Sequence, residues 1–475
     1  MTKHDSRPNL LFVFSDQHRW CDIGCYGNDQ VITPNLDAFS KKATQVENCI
    51  ANCPVCVPSR GIMLTGMYPL QHGAAGNDLP MYDNVETMGN VLLNHGYTTG
   101  YIGKWHLAGI PRDQFIPAGT RRFGFQEWKV ANCTHNYLNA YYDDEENKRH
   151  PIQGYDAIEQ TNLALDFIER HHDKSWGLVL SWGPPHDPYH AVPKSFLDKY
   201  EQTEIRMRPN VTDQSVQIKD KLYLSKKQIK ENIKGYYAHI SALDEQFGRL
   251  IRKLEHTGQL SNTIIVYTSD HGDMLGSQGM TNKQLPYEES IKVPLLVYWQ
   301  GKTIPMKREE LIGLVDLPVS ILGMMGLEFK DSTVVGQDLH GLFIDPNAKG
   351  RDYCYIFELT ACHQATNRGT LEWRGIRTDR YTFAKHVYDP AGWLLFDNIA
   401  DPYQLNNVVN EPALIEIRDE LEAKLKQEVT IHDYMLPWKE IVGRVGLKER
   451  WEESELYFQA IQMNKSLMPP IVKTQ

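Results

Sequence analysis

Three stretches of the chain share one pattern: LLFVFSDQH from Leu10, GLVLSWGPPH from Gly177 and TIIVYTSDHG from Thr263. Each is a continuous apolar, β-rich run that ends at Ser and turns polar or Gly/Pro-rich. Continuous runs suit strands buried on both faces of a parallel sheet. Helical periodicity fills the intervals. Ile158, Leu165 and Ile168 mark a stripe over residues 157–171, and Ile240, Leu243, Phe247, Leu250, Ile251 and Leu254 mark another over 233–256. Strands alternating with helices predict an α/β fold with a mainly parallel sheet. Ligands collect at the carboxyl ends of such strands. Asp16, His186, Asp270 and His271 are therefore expected at one edge, although they are far apart in sequence.

The texture changes at about Arg351. YCYIFELT, WRGIRTDRYTFAKHV and GWLLFDNIADPYQLNNV read as short strands with turns, and an amphipathic helix follows over about 412–428. The expected organisation is a large domain over 1–350 and a smaller α+β domain with an antiparallel sheet over 351–475, its tail from Pro437 mixed in pattern. At 475 residues the chain is long enough for two such cores. Its net charge of −10 argues against a general nucleic-acid binder. An anionic substrate stays possible, because the field inside a pocket can oppose the global one. The N-terminus lacks a signal-peptide layout, and no stretch approaches the ~20 apolar residues that span a bilayer. These features predict a soluble, cytoplasmic protein without a membrane partner, or a periplasmic or secreted one if a leader has been removed. The oligomeric state is left open.

The segment CPVCVPSRGIMLTG, Cys53 to Gly66, poses a chemical question. Cys56 could be a metal ligand, half of a disulfide, a thiol nucleophile or a core residue. Eight cysteines in a chain without a leader need not form a disulfide framework. Cys49, Cys53 and Cys56 lack the second ligand pair that structural zinc requires. Pro58 suits the first position of a helix. Cys56 would then lie at a helix N-terminus, where backbone N–H groups favour anions, with the Arg60 cation one turn on. The local chemistry is a reactive group beside an anion cradle.

CVPSRGIMLTG resembles the sulfatase signature, C-x-P-S-R followed by T-G. In that family the cysteine is oxidised after translation to formylglycine by a formylglycine-generating enzyme. The resemblance continues through RPNLLFVFSDQHRWCDIGCYGN, YTTGYIGKWHL, SWGPPHDPY, IIVYTSDHGDMLG and TNKQLPYEESIKVPLLVYW, in the family's order. It implies an alkaline-phosphatase-like fold and a sulfuric ester hydrolase. Cys56, Arg60, Lys104, His106, His186 and Lys283 become the implied catalytic set. Asp16, Gln17, Asp270, His271 and an oxygen at position 56 become the ligands of one divalent cation. In the implied mechanism an aldehyde hydrate at position 56 attacks sulfur. Arg60, Lys104 and Lys283 stabilise the sulfuryl oxygens, His186 with Lys283 supports the leaving alkoxide, and His106 is the base that lets the hydrate release sulfate. His18 and His72 are expected to be structural.

One departure stands out. Many family members carry two consecutive aspartates in the first metal loop, whereas here Gln17 follows Asp16. The site keeps an oxygen but loses a charge; Ca²⁺ is favoured, with Mg²⁺ or Mn²⁺ as alternatives. The polar, Tyr-rich segment Asn132–Pro151 suits a sugar, so the expected substrate is a small sulfated carbohydrate. Its tyrosines and His135 are expected to touch the alcohol and not the sulfate. A phosphonate monoester or phosphodiester hydrolase on the same scaffold, and a non-catalytic relative, are the competing readings.

Overall fold

The computed structural model describes residues 7–211, 224–361, 371–389 and 392–467. Ten strands form one sheet: β1 (Asn9–Asp16), β2 (Thr44–Ile50), β3 (Thr98–Lys104), β4 (Glu127–Ala131), β5 (Tyr141–Asp143), β6 (Arg149–Pro151), β7 (Trp176–Pro185), β8 (Thr263–Ser269), β9 (Lys292–Tyr298) and β10 (Met306–Gly313). Their spatial order is β10-β2-β9-β8-β1-β7-β3-β4-β5-β6. The three apolar runs are β1, β7 and β8, and β1 lies between the other two, parallel to both. β3 and β4 extend the parallel block beyond β7, while β9 closes its other side antiparallel to β8.

The burial of β1 shows why its sequence is a continuous apolar run. All its residues are buried, and successive side chains point to opposite faces. Leu10, Phe12 and Phe14 enter one core; Leu11 and Val13 enter the other. The second core holds the helices Asp156–Arg170 and Lys226–His256. The longer helix begins upstream of the predicted 233, because Ser225 and Gln228 form a capping box that starts it in polar sequence. On the opposite face lie the helices Cys56–Thr65 and Leu317–Met324.

The expected smaller sheet is present. β11 (Tyr353–Glu358), β12 (Trp373–Thr378), β13 (Tyr381–His386) and β14 (Leu394–Asp397) form an antiparallel meander in chain order. Ile50 and Leu311 of the large sheet pack with Ile356, Trp373 and Phe396 of the small one. The helix expected over 412–428 runs Ile415–His432, after a 3-10 turn at Pro412–Leu414. The tail adds the helices Trp438–Arg444 and Lys448–Leu467. Among the described residues no helix is long and apolar enough to cross a membrane. Cys21, Cys25, Cys49, Cys56, Cys133 and Cys354 are free thiols, and Cys362 lies outside the described residues.

Asp156 opens its helix beneath β7 with 2% exposure. Gln160 donates to its Oδ2 at 3.3 Å, but Oδ1 finds no partner. Burial pushes this carboxyl up from 3.8 to about 8. The folded chain therefore keeps a proton that the unfolded chain has released, and stability should fall as pH rises through the window from about 4 to about 8. Asp156→Asn mimics the protonated group. It should flatten that fall by up to a few kcal/mol, as read by urea unfolding at several pH values; an unchanged slope would contradict the assignment.

Candidate active site

Strand register brings the dispersed residues together. Asp16 pairs with Pro185, the residue before His186, and Ser15 pairs with Ser269, the residue before Asp270. The helix Cys56–Thr65 points its N-terminus at the same edge. It starts two residues earlier than the proline suggested. The Ser59 N–H bonds the Val55 carbonyl at 2.9 Å, so Cys56 opens the helix and Pro58 sits inside the first turn. A missing N–H costs nothing anywhere in that turn. Gly103 supplies another close approach: its φ is +105°, and a Cβ there would lie 2.0 Å from the Ser181 carbonyl oxygen. Only glycine lets β3 approach β7 in this way and deliver Lys104 to the edge.

Asp16, Cys56, Asp270 and His271 converge, their ligand atoms all within 4.8 Å of one another, and all four are buried. The arrangement sorts the carboxylate oxygens. The Asp16 Oδ2 accepts from Arg60 at 3.0 Å and from Lys104 at 2.6 Å, and the Asp270 Oδ2 accepts from Arg60 at 3.0 Å. Both Oδ1 atoms instead face His271 Nε2, each at 3.7 Å. His271 Nδ1 lies 3.0 Å from the Gly272 carbonyl, so Nδ1 carries the proton and Nε2 keeps its lone pair toward the cluster. Two carboxylate oxygens, an imidazole nitrogen and the position-56 side chain thus turn donor atoms to one point, a set that fits a divalent cation.

Charge sets the protonation states. Burial alone would push the Asp16 carboxyl up, but the Lys104 and Arg60 cations bonded to it hold it well below its usual range. Burial and Asp16 oppose ionisation of Cys56, yet Lys283 and Lys104 bring its thiol below the ordinary value. Arg60 is fully buried and spends itself on protein: besides the two carboxylates it donates to the Lys104 carbonyl at 2.8 Å and to Ser181 Oγ at 2.7 Å. The sequence-based role for Arg60, contact with sulfuryl oxygens, gives way to a role in holding Asp16 and Asp270.

Lys283 donates to Gln17 Oε1 at 2.6 Å and meets His186 Nε2 at 2.7 Å. His186 Nδ1 lies 2.8 Å from the Asp187 carbonyl. The proton is therefore on Nδ1, and Nε2 accepts from the ammonium. Burial, Lys283 and His135 all press His186 toward its neutral form. His106, with φ +61°, is 4% exposed, and neither ring nitrogen has a hydrogen-bond partner; Asp78 Oδ1 is 3.9 Å from Nε2. Burial and the charges of Lys104, Arg112 and Arg60 hold it neutral. His72 packs against Gly61, where a Cβ would lie 2.4 Å from its ring, and burial lowers it to about 3. His18 is held by Tyr267 at 3.0 Å and the Asp22 carbonyl at 3.3 Å.

Some participants were missed in the sequence. Asp273, three residues after Asp270, accepts from Gln17 Nε2 at 2.7 Å and from Tyr189 at 2.5 Å, which orients the Gln17 amide with its oxygen toward Lys283. The second acidic residue in SDHGD was the available signal. Ser181 and Tyr236, whose hydroxyl donates to the Gln17 carbonyl at 2.5 Å, carried none. The segment 132–151 needs correction. His135 stacks on His186 at 4.3 Å and 18°, and its Nε2 is 3.4 Å from Lys104 Nζ, so it stands with the cations rather than with the alcohol side. Tyr137 is fully buried and donates to the Gly183 carbonyl at 3.2 Å. Tyr141 stacks on the Arg149 guanidinium at 3.8 Å.

Comparison with known proteins shows the family and the fold. The family model described as Sulfatase matches residues 8–327, and that of the N-sulphoglucosamine sulphohydrolase C-terminal region matches 276–430. An ulvan-active sulfatase of Formosa agariphila is 32% identical over 89% of this chain and 81% of its own. An N-acetylglucosamine-6-O-sulfatase of Bacteroides thetaiotaomicron is 26% identical over 89% of this chain and 86% of its own. The crystal structure of a Bacteroides fragilis protein described as the sulfatase yidJ superposes with a TM-score of 0.82 at 28% identity, covering 92% of this chain and 98% of that one.

Two substitutions test the geometry. Gln17→Asp would set two carboxylates about where the 2.7 Å amide contact with Asp273 now lies, and such a pair cannot both ionise. It should lower Tm in the presence of chelator, and adding Asp273→Asn should restore it; equal Tm values for Gln17→Asp and wild type would overturn this. His135→Ala should lower kcat/KM about tenfold or more on an aryl sulfate and on sulfated sugars alike. A loss confined to sugars would return His135 to the alcohol side.

Proposed function

We propose that this chain, which belongs to the sulfatase family and is a sulfuric ester hydrolase, releases sulfate from a sulfated sugar. The reading rests on the buried convergence of Asp16, Asp270, His271 and position 56 beneath Lys104 and Lys283. The sugar part rests on the names of two relatives, active on ulvan and on N-acetylglucosamine sulfate.

Asp16, Asp270, His271 and the Gln17 oxygen would hold one divalent cation, with Ca²⁺ favoured for a set dominated by oxygen; it would polarise the sulfate ester and neutralise developing charge. Converted to formylglycine, position 56 would supply a hydrated aldehyde, one hydroxyl to attack sulfur and a second to expel sulfate. The remaining work belongs to side chains. Lys104 and Lys283 flank the position-56 side chain and stabilise sulfuryl oxygens. Arg60 holds Asp16 and Asp270 turned toward their common point. Lys283 donates to His186 Nε2, so the lysine is the member of this pair placed to donate to the leaving alkoxide and the imidazole orients it. His106 is the base we assign, because both of its ring nitrogens are unpartnered and open to a proton.

Co-expression with a formylglycine-generating system should shift the mass of the peptide containing Cys56 from thiol to aldehyde. Matured protein should release sulfate from aryl and sugar sulfates and lose that activity on chelation, with Ca²⁺ restoring it best. Cys56→Ala should lower kcat by at least about 10³-fold with little change in Tm. Full activity with unmodified Cys56 would exclude the nucleophile; faster turnover of phosphonate esters than of any sulfate would exclude the substrate class.

A further inference from the structure

His106 faces a second residue in the left-handed region. Its φ is +61° and that of Asp78 is +69°, a conformation that side chains with a Cβ hold only where the surroundings fix it. Both residues are fixed. The His106 N–H donates to the Asn132 carbonyl at 2.5 Å. The Asn132 side chain accepts in turn from the Ala108 N–H at 3.3 Å and donates to the Gly109 carbonyl at 3.0 Å. On the other side, Asn77 Oδ1 accepts from the Val57 N–H at 3.3 Å, which ties the loop of Asp78 to the residue after Cys56. The Arg112 fork closes on the Asp78 carboxylate, Nε to Oδ1 and Nη2 to Oδ2, both at 2.8 Å. The backbone of Arg112 is anchored as well: its N–H donates to the Tyr457 hydroxyl and its carbonyl accepts from the Cys133 N–H, each at 3.1 Å.

These contacts give the Asp78 carboxylate one orientation. Its side chain is 1% exposed, and Oδ1, already bonded to Arg112 Nε, lies 3.9 Å from His106 Nε2. A neutral imidazole carries its proton on one nitrogen and a lone pair on the other, and the neighbouring groups decide which. A buried carboxylate oxygen at this range favours N–H on the nitrogen that faces it and disfavours a lone pair there. Nδ1 then keeps the lone pair. The same carboxylate stands opposite the imidazolium that forms when Nδ1 takes a proton, and so offsets burial and the charges of Lys104, Arg112 and Arg60, which oppose that cation.

We propose that Asp78, held by Arg112, is the positioning residue of His106: it fixes the ring proton on Nε2 and leaves Nδ1 as the basic nitrogen. This rests on His106 as the base of the sulfatase reading and names the atom that accepts the proton. In the release step the second hydroxyl at position 56 passes its proton to Nδ1. The O–H electron pair closes the carbonyl, and the carbon–oxygen bond to the sulfate breaks with its pair leaving on sulfate. Attack on sulfur does not use this base, so Asp78 acts on the second half of the cycle.

The tautomer of His106 is read from ring nitrogen shifts in the full-length, histidine-labelled chain with Cys56 unmodified, the His106 signals being those lost in His106→Gln. Wild type should carry the proton on Nε2, and Asp78→Asn should lower the ratio of Nε2–H to Nδ1–H at least about fivefold. A wild-type proton on Nδ1, or an unchanged ratio in folded Asp78→Asn, would overturn the proposal; where Asp78→Asn does not fold, the wild-type tautomer decides alone. In matured protein an aryl sulfate separates the two halves of the cycle. Asp78→Asn should release the first equivalent of phenol within about threefold of the wild-type rate and then turn over at least about tenfold more slowly, while a sulfuryl group accumulates on the position-56 peptide. Equal slowing of both phases without accumulation would make Asp78 a structural residue and overturn the positioning role. If matured protein releases sulfate from nothing, the sulfatase reading fails, and the tautomer measurement still decides the pairing of Asp78 with His106.

Discussion

Four charges closed off from water organise this molecule. Asp16, Asp270 and Arg60 are 0% exposed and Lys104 is 3% exposed. Moving such groups out of water costs several kcal/mol each, and removing one partner of a buried set typically costs 3–5 kcal/mol. The four are tolerable only together, two carboxylates against two cations. Because Arg60 spans both carboxylates, β1, β3, β8 and the helix Cys56–Thr65 must meet at one depth. The register of the central strands and the close approach at Gly103 follow from that demand as much as from apolar burial. The sequence of β1 carries both requirements: apolar residues to its last turn, then the carboxylate.

Lys283 imposes a second constraint, because it comes from a loop and not from a strand end. In the segment 273–284, Leu275, Gln278, Asn282 and Gln284 all have positive φ, a conformation that side chains with a Cβ adopt at a cost of order 1–3 kcal/mol each. The surrounding structure holds them there. Gln278 donates to the carbonyls of Tyr403 and Gln404 at 3.0 and 2.9 Å, Gln284 donates to Glu358 at 3.1 Å, and Trp373 donates to the Gln284 carbonyl at 3.2 Å. All four partners lie in the second sheet or its connections. The small sheet thus fixes a lysine that the large sheet cannot reach.

The fold was legible in the sequence wherever burial is two-sided, since a run such as Leu10–Phe14 has few other uses. The onset of the helix at Lys226 was not, because its first turns are polar and the capping box at Ser225 and Gln228 is a short signal. The strand-end residues Asp16, Asp270 and His271 could be placed from topology alone, and the signature resemblance supplied Cys56. What sequence could not supply was which atom faces which. Arg60 sits in a motif compatible with oxyanion binding, yet register turns its guanidinium onto carboxylates. Tyr137 lies in a polar, aromatic segment that reads as exposed, but the chain after β4 passes beneath β7 and buries it. His135, in the same segment, is carried to Lys104 by the loop that follows β4. Such outcomes depend on long-range register, which a local pattern does not encode.

The distribution of charge also decides how a substrate must lie. The chain as a whole carries −10, so an anionic ester gains nothing from the average field and must be drawn by local cations. Those cations, Lys104 and Lys283, are 3% and 1% exposed and sit at the bottom of the site. Beside His186, Asp187 is 43% exposed, with its Oδ1 3.2 Å from His186 Nδ1. An ester with one anionic end can satisfy both only by entering sulfate first. Water is scarce at the bottom, where the lysines interact most strongly, and more abundant around Asp187, which acts more softly. Depth therefore separates two tasks. The sulfate is gripped by charge, which discriminates poorly between esters, while the alcohol is sorted by hydrogen bonds and shape, which discriminate well because a mismatched ring leaves their groups unpaired.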